Sequence, residues 1–309
     1  MKLLFAGTPD VAVPSLLALH SSAHEVVGVI TQPPAASGRG RALTPSPVAR
    51  KAAELGITAY EFPDINAESA QAVLASVEFD AVAVVAYGQL LKPTTLALAP
   101  RGWINLHFSL LPAFRGAAPV QRAVMTGESI TGVTTFVLDA GMDSGPIIAQ
   151  MTTAIATTET AGDVLQRLAV DGASVLVNSF DAIAAGLAAP REQSSDNVSY
   201  APKISVAEAN IKWHHPALGI SRWIRGCTPE PGAWTTVAGS RIEIGPVELV
   251  NDETALEPGE CRISKSSVVV GTGSCAVQLG LVKPAGKKWM AAADWARGLR
   301  DTDVRFDYV

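Results

Sequence analysis

The strongest constraint on the fold is a repeated alternation of short apolar runs with longer segments of helical spacing. "KLLFAGT" is followed by "DVAVPSLLALHSS", "EVVGVITQ" by "PVARKAAELG", "ITAYEF" by "AESAQAVLASV", and "GWINLHFS" by "APVQRAVMTG". A run such as "FDAVAVVAYG", with no polar alternation, must be covered on both faces, as in a parallel sheet between helical layers. The βαβα rhythm therefore predicts an α/β fold, a doubly wound, mostly parallel sheet with its site at the carboxyl ends of the strands. "AGDVLQRLAVDGASVLVNSFDAIAAG" reads as one long helix that closes the pattern.

From about residue 205 the segments are short, β-rich and broken by Gly and Pro: "GAWTTV", "SRIEIGPVELV", "GECRISKSSVVVGTG", "CAVQLGLVKPAG". Such spacing predicts a small barrel or sandwich. The 309 residues exceed a comfortable single core, so two domains are expected, residues 1–203 and 207–309.

Several function classes recede. The longest apolar runs are strand-sized, too short to span a membrane. "MKLLFAGTPD" reaches a turn too early for a secretory signal. Cys227, Cys261 and Cys275 are odd in number and lack metal-ligand spacing, which points to reduced thiols in the cytoplasm. His20, His24, His214 and His215 do not converge with other ligands, so no metal is expected. The first βα turn reads GTPDVAVP rather than GxGxxG, which disfavours a nicotinamide enzyme. "GTGSCA" at 271–276 sits in β-rich sequence as a hairpin turn.

A net charge of −5 argues against general nucleic-acid binding. Residues 1–205, however, hold 12 Lys and Arg against 17 Asp and Glu, while residues 206–309 hold 12 of each. The second part is free to present a basic face.

One strand carries side chains that a buried strand should not. In "WINLHFSLLPAFRG", Asn105 and His107 lie two residues apart and share a face. The next strand leads into "DAGMDSG", a glycine-rich loop with Asp139 and Asp143. A carboxylate near the imidazole would favour its charged form and raise its pKa. An amide, an imidazole and a carboxylate suit an amine attacking a carbonyl, with charge building on the oxygen. No Ser or Cys nucleophile stands beside them, which favours direct transfer. On these residues alone, a strand-end Asn and His that merely cap a turn remain an equal reading.

N-L-H-F-S-L-L-P-x-F-R-G followed by D-A-G-M-D-S-G resembles the signature of the folate-dependent formyltransferases. "FAGTPD", "TQPPAASGRGRALTPSPV", "VVAYGQLL", "GAAPVQRAV" and "KPAGKKWM" resemble the branch that formylates methionyl-tRNA. The resemblance runs nearly end to end. It implies Asn105, His107 and Asp143 as catalytic residues, with Ser109, Leu110, Leu111 and Pro112 beside the folate. It further implies 10-formyltetrahydrofolate as donor, initiator methionyl-tRNA as acceptor, and an OB-like β-barrel as the C-terminal domain. Asn105 and His107 would donate to the developing oxyanion, and Asp143 would orient His107 and help remove the amine proton. Arg39 and Arg41, in the Pro- and Gly-rich loop 31–49, would contact the tRNA. Lys203, Lys287 and Lys288 would meet phosphates.

Phe108 stands where many relatives carry Gly or Pro. It points away from His107 and is expected in the core, as are Trp213, Trp223 and Trp234. Ser144 replaces a common Thr and keeps the hydroxyl. Arg115 is expected as a structural ion-pair partner. Nothing demands more than a monomer. A formyltransferase acting on a nucleotide sugar, and a nucleic-acid-binding protein with a vestigial catalytic domain, remain rivals.

Overall fold

The computed structural model describes residues 1–37, 42–253, 255–299 and 304–307. The chain forms two compact units, and neither is contiguous. The first comprises residues 1–116, 130–154 and 165–200; the second comprises 117–129, 155–164 and 201–309.

In the first unit, β1 (Lys2–Gly7), β2 (Glu25–Thr31), a β3–β4 hairpin (Ala35–Ser37 with Ala42–Thr44), β5 (Ala59–Glu61), β6 (Ala81–Val85), β7 (Trp103–His107), β8 (Ile130–Val137) and β9 (Ile147–Ala154) follow in chain order. Helices α1 (Val13–His20), α2 (Pro47–Glu54), α3 (Glu68–Ala75) and α4 (Pro93–Leu96) connect the early strands. Seven strands make one sheet in the order β5-β2-β1-β6-β7-β8-β9. The first five of that order run parallel, and β8 and β9 are antiparallel to their neighbours.

The chemistry of the central strands explains their place. Every residue of β6 is buried, as its uninterrupted apolar run requires. Leu4, Ala6, Ile30, Val82, Val84 and Trp103 pack on one face of the sheet. Gly7 closes β1 tightly: a Cβ there would lie 2.9 Å from both the Ala12 Cβ and the Val85 carbonyl oxygen. This glycine serves close packing of strand and turn. At α2, the Ser46 hydroxyl accepts from the Ala49 amide at 3.0 Å and Pro47 starts the first turn. Such a cap stabilises a helix by about 1 kcal/mol.

The second unit contains α5 (Pro119–Thr126), the first turn of α6 (Ala161–Ala184), α7 (Ala217–Cys227) and α8 (Ala292–Arg297). Its strands are β10 (Trp234–Val237), β11 (Ser240–Ile244), β12 (Val247–Val250), β13 (Glu260–Ile263), β14 (Val268–Val270), β15 (Ala276–Leu279), β16 (Leu281–Pro284), β17 (Met290–Ala291) and β18 (Val304–Asp307). They form one antiparallel sheet, β12-β15-β14-β13-β18-β10-β11-β16-β17, the small barrel-type sheet expected from the short strands. "GTGSCA" lies in the β14–β15 connection. Trp213 and Phe306 stack at 5.4 Å, and Trp213 donates through Nε1 to Thr235 Oγ1 at 3.0 Å. Trp213 is thus a core residue with its polar atom satisfied. Helix α7 packs on α5, where a Cβ at Gly226 would meet the Gln121 carbonyl oxygen at 2.9 Å.

Candidate active site

Asn105 and His107 follow Trp103 on the same face of β7, as the two-residue period dictates. His107 is buried, and its ring meets Phe136 edge-on at 6.4 Å. Asn105 is half-buried. Among the described residues its side-chain amide has no hydrogen-bond partner.

Asp143 reaches His107 by an indirect route. Strand β8 runs antiparallel to β7, so its end lies beside the start of β7, where the Leu138 amide donates to the Trp103 carbonyl. The loop 138–146 then folds back and brings Asp143 Oδ2 to 3.8 Å from His107 Nδ1. The Gly116 amide donates to the same Oδ2 at 2.8 Å. Asp143 has a φ of +49°, a left-handed conformation that costs a non-glycine residue about 1–2 kcal/mol. At Gly145 a Cβ would lie 1.9 Å from the Val137 carbonyl oxygen, so only glycine permits this hairpin closure. Ser144 donates to both oxygens of Asp139, at 3.0 and 2.9 Å. Asp139 is therefore engaged in shaping the loop.

The imidazole departs from expectation in one respect. Burial pushes its pKa below the ordinary value, outweighing Asp143 and the Phe114 carbonyl, which pull it up. The carboxylate was expected to win; with the ring almost free of solvent, desolvation of the charged form wins. Furthermore, Nε2 lies 2.9 Å from the Phe114 carbonyl oxygen. A carbonyl only accepts, so Nε2 carries the hydrogen and donates. In the neutral ring Nδ1 then faces Asp143 as a bare acceptor. The Phe114 carbonyl therefore sets the tautomer of the neutral ring.

The SLLP turn is held from below. Ser109 donates through its hydroxyl to the Ala113 carbonyl at 2.6 Å. Buried Thr134 donates to the Ser109 carbonyl at 2.7 Å and accepts from the Leu111 amide at 3.1 Å. Gln150 donates to the Leu111 carbonyl at 2.9 Å. Leu111 is buried with Phe136 and Ile147, Leu110 and Pro112 are half-buried, and the Leu111–Pro112 peptide is cis. Phe108 is buried as expected. Arg115 binds an amide where an ion pair was anticipated: its Nε and Nη2 donate to Gln193 Oε1 at 3.1 and 2.7 Å.

The structure thus brings Asn105, His107, Asp143 and residues 109–112 together in the first unit. Thr134, Gln150, Gln193 and the Phe114 carbonyl complete the surroundings and were missed in the sequence. Only the alternation of "TGVTTFV" hinted at Thr134, and a polar run such as "REQSSDN" does not distinguish Gln193. Arg39 and Arg41 lie outside the described residues. Lys203, Lys287 and Lys288 are exposed in the second unit. Lys203 borders a cavity of about 320 Å³ with Gln121, Ile204 and Glu230. Lys287 and Lys288 sit in the β16–β17 turn. Among the described residues no cluster of His, Cys, Asp and Glu could hold a metal, and no helix is long and apolar enough to cross a membrane.

Comparison with known proteins sets this site in context. Residues 1–180 match the formyl transferase family, and residues 203–300 match the formyl transferase C-terminal domain. The methionyl-tRNA formyltransferase of Arthrobacter sp. (strain FB24) is 52% identical over 298 residues, 96% of this chain and 97% of that protein. That of Thermobifida fusca (strain YX) is 50% identical over 303 residues, 98% of each chain. Among solved structures, a sugar 3N-formyl transferase determined in the presence of dTDP and 5-N-formyl-THF shares the fold with a TM-score of 0.67. It is 18% identical and covers 93% of this chain and 99% of its own. With matches over both units and half of all residues identical to these full-length relatives, the chain belongs to the formyl transferase family.

Proposed function

We propose that the chain transfers the formyl group of 10-formyltetrahydrofolate to the α-amino group of methionyl initiator tRNA. The chemistry rests chiefly on one observation: the Nδ1 edge of a buried His107 faces Asp143 at 3.8 Å, with Asn105, whose amide has no partner among the described residues, on the same face of β7. The acceptor rests on the relatives at 50–52% identity, whose names specify methionyl-tRNA. Sugar formyltransferases at 17–18% share only the fold.

Asn105 donates a hydrogen bond to the formyl oxygen as the amine nitrogen bonds to the formyl carbon and charge moves onto that oxygen. His107 Nδ1 takes the proton lost by the amine, and Asp143 stabilises the imidazolium so formed. The same proton passes to the folate nitrogen as its bond to the formyl carbon breaks, leaving tetrahydrofolate and the formylated amine. Free α-amino groups have pKa values of about 7.7–8.0, and an adjacent ester lowers this, so the acceptor needs only a weak base. A buried imidazole of depressed pKa suits that role. Ser109, Leu110, Leu111 and Pro112 hold the folate beside the strand. Arg39, Arg41, Lys203, Lys287 and Lys288 contact tRNA phosphates, and the protein acts in the cytoplasm as a monomer.

The test is transfer of labelled formyl from 10-formyltetrahydrofolate to methionyl initiator tRNA, run beside an amino-sugar nucleotide. Turnover confined to the tRNA is expected. Turnover confined to the sugar would refute the acceptor, and turnover with neither would refute the activity.

A further inference from the structure

Asp143 is held against its own preferences. Its backbone is left-handed, and the neighbouring residues Asp139 to Met142 are exposed. Burial of this stretch therefore does little to fix the carboxylate near His107. The Gly116 amide holds the carboxylate itself, and Gln193 constrains the backbone that carries it. Its side-chain NH2 donates to the Asp143 carbonyl and to the Gly145 carbonyl, both at 2.8 Å. An amide has two such hydrogens, and both are used. Its Oε1 accepts twice from Arg115, which fixes which end of the amide faces the loop.

The segment that carries Gln193 reaches the imidazole as well. Ser199 Oγ accepts from the Phe114 amide at 2.9 Å, and the Ser199 carbonyl accepts from the Arg115 amide at 2.8 Å. Phe114 in turn accepts from His107 Nε2. Residues 193–199 therefore tie together the two supports of the site, one beneath His107 and one beneath Asp143. All these residues belong to the first unit.

We infer that Gln193 is the positioning residue of Asp143, with Arg115 as the anchor that orients its amide. This rests on the proposed proton-handling role of His107 and Asp143. Gln193 touches neither substrate nor reacting atoms; it acts through the loop.

The test compares Gln193→Ala, Gln193→Glu and Asp143→Ala with the Gln193→Ala/Asp143→Ala double variant, in the full-length protein. Gln193→Glu retains size and the Arg115 contact but presents an acceptor to two carbonyls. Both Gln193 variants are expected to lose kcat by about 10- to 100-fold, the scale of roughly an ångström of misalignment. KM for both substrates should stay within about twofold, because ground-state binding is untouched. Their acid limb should move to lower pH, since a displaced carboxylate no longer raises the His107 pKa. In the Asp143→Ala background the Gln193→Ala change should cost almost nothing more, because residues acting as one unit are not additive. A Gln193→Glu protein with full kcat would overturn the inference, and so would an undiminished Gln193→Ala loss in the Asp143→Ala background. If Asp143→Ala itself retained kcat, the proposed chemistry would fall rather than the inference built on it.

Discussion

At the scale of single residues, two opposing effects act on His107, and burial prevails over the carboxylate. The consequence for pH is definite. The folded pKa lies below the ordinary value of about 6.5, so the neutral, proton-accepting form persists above it. Loss of activity through protonation of His107 should therefore set in at lower pH than for an unperturbed imidazole. Because the folded pKa is depressed, protonation costs stability as pH falls below about 6.5 and none above it. Asp143→Asn removes a charge that raises the pKa, so the acid limb of its residual kcat should shift to still lower pH. A limb shifted upward would contradict this. His107→Ala should reduce kcat by about 10²–10⁴, the usual worth of a general base, with tRNA affinity nearly unchanged. An equal loss of affinity would mark His107 as a binding group. The shared face of Asn105 and His107 was legible because residues two apart on a strand point the same way. The nearness of Asp143 came only from the resemblance, because it depends on the course of the loop 138–146. The tautomer was not legible, since it depends on the Phe114 carbonyl, a backbone atom carried by a loop whose course no side-chain pattern records.

Among the elements, β8 does more than supply the loop with Asp143. Its buried Thr134 ties the SLLP turn by two hydrogen bonds. Thr134→Val keeps the shape but leaves the Ser109 carbonyl and the Leu111 amide without this partner. The change should destabilise the fold by about 1–3 kcal/mol and raise KM for the folate more than KM for the tRNA. Unfolding curves and separate KM measurements check the two parts. The alternation of apolar strand and amphipathic helix made β1, β2, β6, β7 and their helices readable. Strand β9 was missed, being an edge strand whose residues are half-buried or exposed after Ile147 and whose sequence, IIAQMTTA, does not alternate apolar with polar residues. Helix α7 was missed as well. Its buried Ala217, Ile220, Ser221 and Ile224 have helical spacing, but the Gly- and Pro-rich stretches around it favoured a wholly β reading.

For the molecule as a whole, the net acidity belongs to residues 1–205, and the proposed tRNA contacts Lys287 and Lys288 lie in the neutral remainder. The Lys287→Ala/Lys288→Ala protein should bind tRNA less tightly, and its affinity should depend less steeply on salt, by roughly one unit of log–log slope per lost phosphate contact. Arg39→Ala/Arg41→Ala should behave likewise, and an unchanged slope would remove either pair from the interface. The change of pattern near residue 205 was visible in the sequence. The inclusion of residues 117–129 and 155–164 in the second unit was not, because partnership between distant segments leaves no local trace. That interleaving bears on how the protein can be dissected. A fragment ending at residue 203 would keep α5 but lose α7, baring Ala118 and Met125, which pack in one core with Ile220 and Ile224 of α7. Such a fragment should bind a hydrophobic dye and aggregate, whereas co-expression with residues 204–309 should restore solubility. What looks like a severable appendage along the sequence is, for the folding chain, half of a structure begun before the catalytic sheet is finished.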